Sequence, residues 1–158
     1  MSVRRLLVVS MLAVAAGATT VAAPASANHN SDRRNLSALL TGRQVVGPPA
    51  GDSNAWGVAN VQLRPNQGRI CFTMLLSKVD GTGLAVRLRS GRAGEETNAV
   101  DVALGSTRNG ISTGCATAVA EATVRAVMDN PRRHYIEVTS TAFADGAVRG
   151  QLQRQNSN

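Results

Sequence analysis

The sequence predicts an all-β protein: an antiparallel, Greek-key-like β-sandwich with one short helix or helical turn. Three observations carry that expectation. Apolar and polar residues alternate with a period of two through most of the chain. The alternating runs recur roughly every ten to fifteen residues, with Gly, Pro, Asn or Asp at the breaks. Only around Glu121 to Asp129 does the period become helical.

The first expected strand lies in "LSALLTG" and ends near Gly42. Gly-Pro-Pro-Ala-Gly-Asp follows and must be loop, because Pro48 and Pro49 have no N–H for a ladder. The stretch from Trp56 to Val79 reads as a hairpin. Ala59, Val61 and Leu63 share one face, and Ile70, Phe72, Met74 and Leu76 share one across the turn at Arg64–Gly68. In "LAVRLRSG", Leu84, Val86 and Leu88 alternate with Arg87 and Arg89. Arg92 to Asn98 is expected to be loop, "AVDVALG" a short strand, and Ser106 to Gly114 a turn region. Ala120, Val124, Val127 and Met128 fall on one helical face, which Asp129-Asn130-Pro131 ends. In the last pair, Ile136, Val138 and Ala142 alternate with Tyr135, Glu137, Thr139 and Thr141. Asp145-Gly146 suits a hairpin turn; beyond it Val148, Gly150 and Leu152 oppose Arg149 and Gln151.

Residues 1–27 are expected to form a secretory signal peptide: Arg4 and Arg5, an apolar run from Leu6 to about Val21, then Ala25-Ser26-Ala27. Residues 28–35 then read as a flexible lead-in, 36–154 as one domain and 155–158 as a tail. Apart from Lys78, every basic residue is Arg. Loss of Arg4 and Arg5 with the leader leaves 15 basic and 10 acidic residues, a net charge of +5. The arginines are scattered, and one Trp and one Tyr make no platform for bases, so a nucleic-acid partner is not expected. The later apolar runs are short, so no membrane association is expected after cleavage. Cys71 and Cys115 are an even pair in an exported chain and are expected to form a disulfide on neighbouring strands.

Four segments resemble the CHRD domain, the repeat of chordin and of many secreted bacterial proteins: "LTGRQVVGPP", "GRICF", "NPRRHYIEVTSTAF" and above all "DGAVRGQL". The resemblance runs from about Leu36 to Leu152, and its most specific part holds Gly146, Arg149, Gly150 and Gln151. It implies an extracellular β-sandwich module without established enzymatic activity. Typical members carry Ala-His-Ile-His on a central strand and a His-Thr pair on the next-to-last one. Here those His positions fall on Arg87, Arg89 and Thr139. A protonated guanidinium has no lone pair to give, and His29 and His134 are the chain's only imidazoles, so neither a metal nor another cofactor is expected.

Arg87 and Arg89 leave one face of their strand, as do Glu137 and Thr139 of theirs. If the family's His positions adjoin, these four residues form a polar cluster. Either Glu137 neutralises the arginines, or one guanidinium stays available to an anion. Gly150 would permit a close approach or a bulge. Arg149 would pair with a carboxylate or carbonyl, or bind an anion. No Gly-x-Ser-x-Gly, phosphate loop or His-Glu helix is present, and Glu95-Glu96 reads as solvated charge. The expected function is therefore a non-enzymatic extracellular binding or structural module, with an extracellular protein or an anionic glycan as partner. The alternative is a secreted hydrolase of an anionic polymer, which would need two carboxylates facing across a cleft.

Overall fold

A computed structural model describes residues 33–155. The expected signal peptide, His29 and residues 156–158 lie outside the described residues. The strands are β1 (Arg34–Thr41), β2 (Trp56–Arg64), β3 (Arg69–Ser77), β4 (Ala85–Ser90), β5 (Thr97–Ser106), β6 (Gly110–Ala116), β7 (His134–Thr139), β8 (Val148–Gln151) and β9 (Gln153–Arg154). One helix, α1, spans Glu121–Asp129. Every pairing is antiparallel. The order is β5-β4-β7-β8-β1-β2-β3-β6, with β9 on β1. The outer strands β5 and β6 are joined by the short turn at Thr107–Asn109, so the sheet nearly closes around one core. The fold is all-β with one small helix.

The period of two decides which side chains enter that core. Leu36 and Leu40 of β1, Val61 and Leu63 of β2, and Ile70, Phe72, Met74 and Leu76 of β3 all point inward. Val86, Leu88, Ile136, Val138 and Val148 complete it from the other half. Val124, Val127 and Met128, one stripe of α1, lie against it, as the helical period requires. On the outer face of β1-β2-β3-β6 the register lines up Leu39, Val58, Leu75 and Ile111 as an exposed apolar row, with Trp56 beside it.

Four boundaries differ from the sequence expectation. β1 begins at Arg34, two residues before the expected domain start. β5 begins at Thr97, inside the expected loop. Gly110–Ala116, read mostly as turn, is the strand β6 that pairs with β3. Thr141 and Ala142 lie outside β7, and Asp145-Gly146 belongs to an eight-residue connection from Ser140 to Ala147. That connection has its own bonds: the amides of Ser140 and Gly146 donate to the Phe143 carbonyl, and the Phe143 amide to that of Ser140.

Candidate functional site

The outer face of β4-β7-β8 carries the charged cluster. Register places Arg87, Glu137 and Arg149 in one row across the three strands, and Arg89, Tyr135 and Gln151 in the next. Their inward neighbours are core residues, so this second face holds all six. Thr139 stands opposite Ala85, one row beyond Glu137, and takes no part in the ion pairs. The structure thus brings Arg87, Arg89 and Glu137 together, sets Thr139 at the margin, and adds Arg149 and Gln151.

Arg87 does not rely on Glu137. It forks onto Asp101 of β5, Nε to Oδ1 at 2.8 Å and Nη2 to Oδ2 at 2.7 Å. The pair is partly exposed, so it contributes at most about 1 kcal/mol. The hydrogen bond from Arg87 lowers the Asp101 pKa against the opposing effect of burial. Arg89 bridges two carboxylates through Nη1: Glu137 at 2.8 Å and Glu96, from the loop above, at 2.5 Å. Glu137 is 2% exposed. Burial raises its pKa, while the Arg89 hydrogen bond and charge and then Arg149 pull it down. Three guanidinium groups and three carboxylates therefore adjoin, and their charges balance.

Arg149 is 1% exposed and lies flat over the Tyr135 ring, its Cζ 3.5 Å from the ring centroid. Its Nη2 donates to the carbonyls of Arg92, at 2.8 Å, and Glu95, at 2.6 Å. Burial lowers the Arg149 pKa, opposed by Tyr135, Glu137 and Glu96. Burial, with Glu137 nearby, pushes the Tyr135 hydroxyl up to about 12. Gln151 Nε2 donates to the carbonyls of Gly91, Arg132 and His134, at 2.9, 2.9 and 2.8 Å. Together these side chains fasten the loop from Gly91 to Glu96 and the turn at Pro131–Arg133 onto the sheet.

The glycines belong to the same construction. A Cβ on Gly150 would lie 2.5 Å from the Leu39 carbonyl oxygen, on the neighbouring strand β1. Backbone cannot yield as a side-chain tip can, so Gly150 permits the approach of β8 to β1. Gly146 sits against the Glu137 carboxylate, where a Cβ would lie 3.1 Å from Oε1. We expect Gly150→Ala to lower stability by about 3 kcal/mol, the upper end for overpacking. Urea unfolding measures this, and a change under about 0.5 kcal/mol, the scale of a neutral surface substitution, would contradict the packing argument.

His134 supports the turn from below. It is buried, and its Nδ1 is 3.0 Å from the Asn130 carbonyl, so Nδ1 carries the proton. Burial lowers its pKa, outweighing the hydrogen bond, and Arg133 lowers it further. A depressed folded value means that its contribution is complete above the ordinary pKa of about 6.5 and is lost as pH falls through the folded value. Melting temperature should fall more steeply below pH 6.5 in the parent than in His134→Gln. Parallel curves would remove His134 as the cause.

The sequence alone left Asp101, Glu96 and Arg149 out of the cluster. Asp101 had a usable signal: it is the one charge in "AVDVALG" and alternates with Val100 and Val102. Cys71 and Cys115 are disulfide-bonded directly across β3 and β6, with Cα atoms 4.0 Å apart. No three His, Cys, Asp or Glu side chains gather as a metal site among the described residues. Nor is any helix among them long and apolar enough to cross a membrane. The CHRD domain profile matches residues 36–152. Comparison with curated proteins and with solved structures gave no match.

Proposed function

We propose, from the premise that this chain belongs to the CHRD domain family, that it is a secreted, non-enzymatic binding module. One observation carries the reading: Asp101, Glu96 and Glu137, the cluster's carboxylates, all hold guanidinium groups. A glycosidase needs one carboxyl free to donate a proton and another free to attack or to activate water. Here the carboxylates do scaffold work. With Arg149 and Gln151 they hold a loop and a turn rigidly at one end of the sheet, and such preorganisation favours binding. The disulfide and the leader sequence support an oxidising location outside the cytoplasm.

The test is expression of the full chain with its own leader in a bacterial host. Mass spectrometry of the medium and envelope fractions should find a chain beginning at Asn28, with no titratable thiol. An uncleaved, cytoplasmic product would refute secretion. Overnight incubation with acidic and neutral polysaccharides should release no new reducing ends. Their appearance above a heat-inactivated control would refute the non-enzymatic reading.

A further inference from the structure

We propose that an arginine-lined groove beside the cluster binds an acidic polysaccharide, one bearing carboxylate or sulfate groups; this rests on the reading of the protein as a binding module. The groove has a volume of about 1030 Å³ and three walls: the loop at Arg92–Ala93, the segment from Asp129 to Arg133, and the chain from Gln151 to Arg154. Arg92, Arg132, Arg133 and Arg154 line it and are exposed. Asp129 is the only acidic residue in its lining. None of the four arginines enters an ion pair among the described residues. Arg154 makes one contact here, Nη2 to the Asp129 carbonyl at 3.3 Å.

The arginines at this end of the sheet thus differ in role. Arg87, Arg89 and Arg149 are spent on the cluster, and the groove's arginines face solvent. This gathering of positive charge was invisible in the chain, where Arg92, Arg132 and Arg154 are far apart.

Three further features select the ligand class. The groove adjoins a smaller cavity of about 350 Å³ lined by Arg43, with Gln44, Ala93 and Gln151 common to both. Basic positions spread over two adjoining depressions suit an elongated polyanion better than one small ion. Asn130 and Gln153 bring amides among the guanidinium groups, and amides suit sugar hydroxyls. No aromatic side chain lines either depression, so stacked bases gain nothing there. The walls are also held in place: one amide, Gln151 Nε2, ties Gly91 on one side to Arg132 and His134 on the other. A guanidinium presents forked donors that match carboxylate and sulfate oxygens.

The test is titration calorimetry of the mature chain with dextran sulfate, polygalacturonate, neutral dextran and a single-stranded DNA oligonucleotide. The groove variant is Arg92→Gln, Arg132→Gln, Arg133→Gln. The control removes equal charge elsewhere: Arg64→Gln, Lys78→Gln, Arg108→Gln. All of these side chains lie outside the core, and melting temperatures confirm that both variants fold. Both acidic polysaccharides should bind and neutral dextran should not. The groove variant should bind at least tenfold more weakly, and the control less than threefold. Raising salt from 50 to 200 mM should weaken parent binding on the order of tenfold or more, through counterion release. Equal loss in the two variants would overturn the site, as would equal binding of neutral dextran. Tighter binding of DNA than of both polysaccharides would overturn the ligand class. Binding of none of the four would overturn this inference and leave the non-enzymatic reading standing. New reducing ends would overturn the non-enzymatic reading and, with it, the reading of the groove as a pure binding site.

Discussion

Arg149→Ala should unfold with about 3–5 kcal/mol less stability than the parent, the cost of truncating a large, fully buried side chain and leaving its hydrogen-bond partners unpaired. The side chain is 1% exposed, so its truncation leaves a cavity over Tyr135 that solvent does not simply fill. It also frees the Arg92 and Glu95 carbonyls and removes a positive charge from the neighbourhood of Glu137. Lysine is not an adequate substitute, because it cannot lie flat on the ring and donate in a fork, so Arg149→Lys should recover only part of the loss. The deficit should depend on pH. Glu137 already has a raised folded pKa, and Arg149 is one of the groups pulling it down. Without Arg149 it rises further. A raised folded value contributes stability that is present below the unfolded value and lost as pH rises through the folded one. The Arg149→Ala deficit should therefore be largest at neutral pH and shrink toward the ordinary glutamate range. Urea unfolding at both pH values checks this. A neutral-pH effect below about 1 kcal/mol would show that the buried arrangement does not hold the fold together.

That prediction depends on register, which was the part of the structure least legible in the sequence. Alternation was most readable in β4, where Val86 and Leu88 point inward against Arg87 and Arg89, and in β2 and β3, where a long inward row of Ala, Val, Leu, Ile, Phe and Met outweighs the few apolar residues that point outward. The helix was readable because Val124, Val127 and Met128 change the period. β6 defeated the same reasoning because its pattern is reversed. Its inward positions are Gly110, Ser112, Gly114 and Ala116, whereas Ile111 points outward at 68% exposure. The cause is local packing: a Cβ on Gly114 would come 2.5 Å from Cε1 of Phe72, whose ring fills that space. A strand selected for small inward residues resembles a turn. The cluster was legible only in part. Spacing placed Arg87 with Arg89, and Glu137 with Thr139, on shared faces. The expected last pair put β8 beside β7, but nothing in the spacing said that β4 takes the other edge of β7, which sets Arg149 in the same row as Arg87 and Glu137. Nor did it say that a loop carrying Glu96 folds back over Arg89. The signature Gly-x-Val-Arg-Gly-Gln-Leu now has a physical reason: Arg149 and Gln151 fasten two segments, and Gly150 lets their strand approach β1.

The same weakness of β6 makes the disulfide important. Cys71→Ser/Cys115→Ser should lose about 4 kcal/mol, the chain-entropy value for a loop of this length. The sequence separation is 44 residues, and β4 and β5 lie within the loop. Most strands are held by the side chains they bury. β6 buries little, because its inward residues are Gly, Ser and Ala, so ladder hydrogen bonds to β3 and the covalent link must hold it. Losing the link should therefore loosen β6 before the rest of the sheet. Hydrogen exchange in the double variant should show β6 amides exchanging well ahead of those in β2 or β7, even where the whole domain remains folded. Reduction of the native protein should have the same effect without denaturant, because the bond lies on the outer face and Cys115 is exposed. In a reducing compartment the chain would forgo this stabilisation, which is a large share of the 5–15 kcal/mol typical of a domain. A double variant within about 1 kcal/mol of the parent, with β6 still protected, would show that the β3–β6 ladder is sufficient by itself.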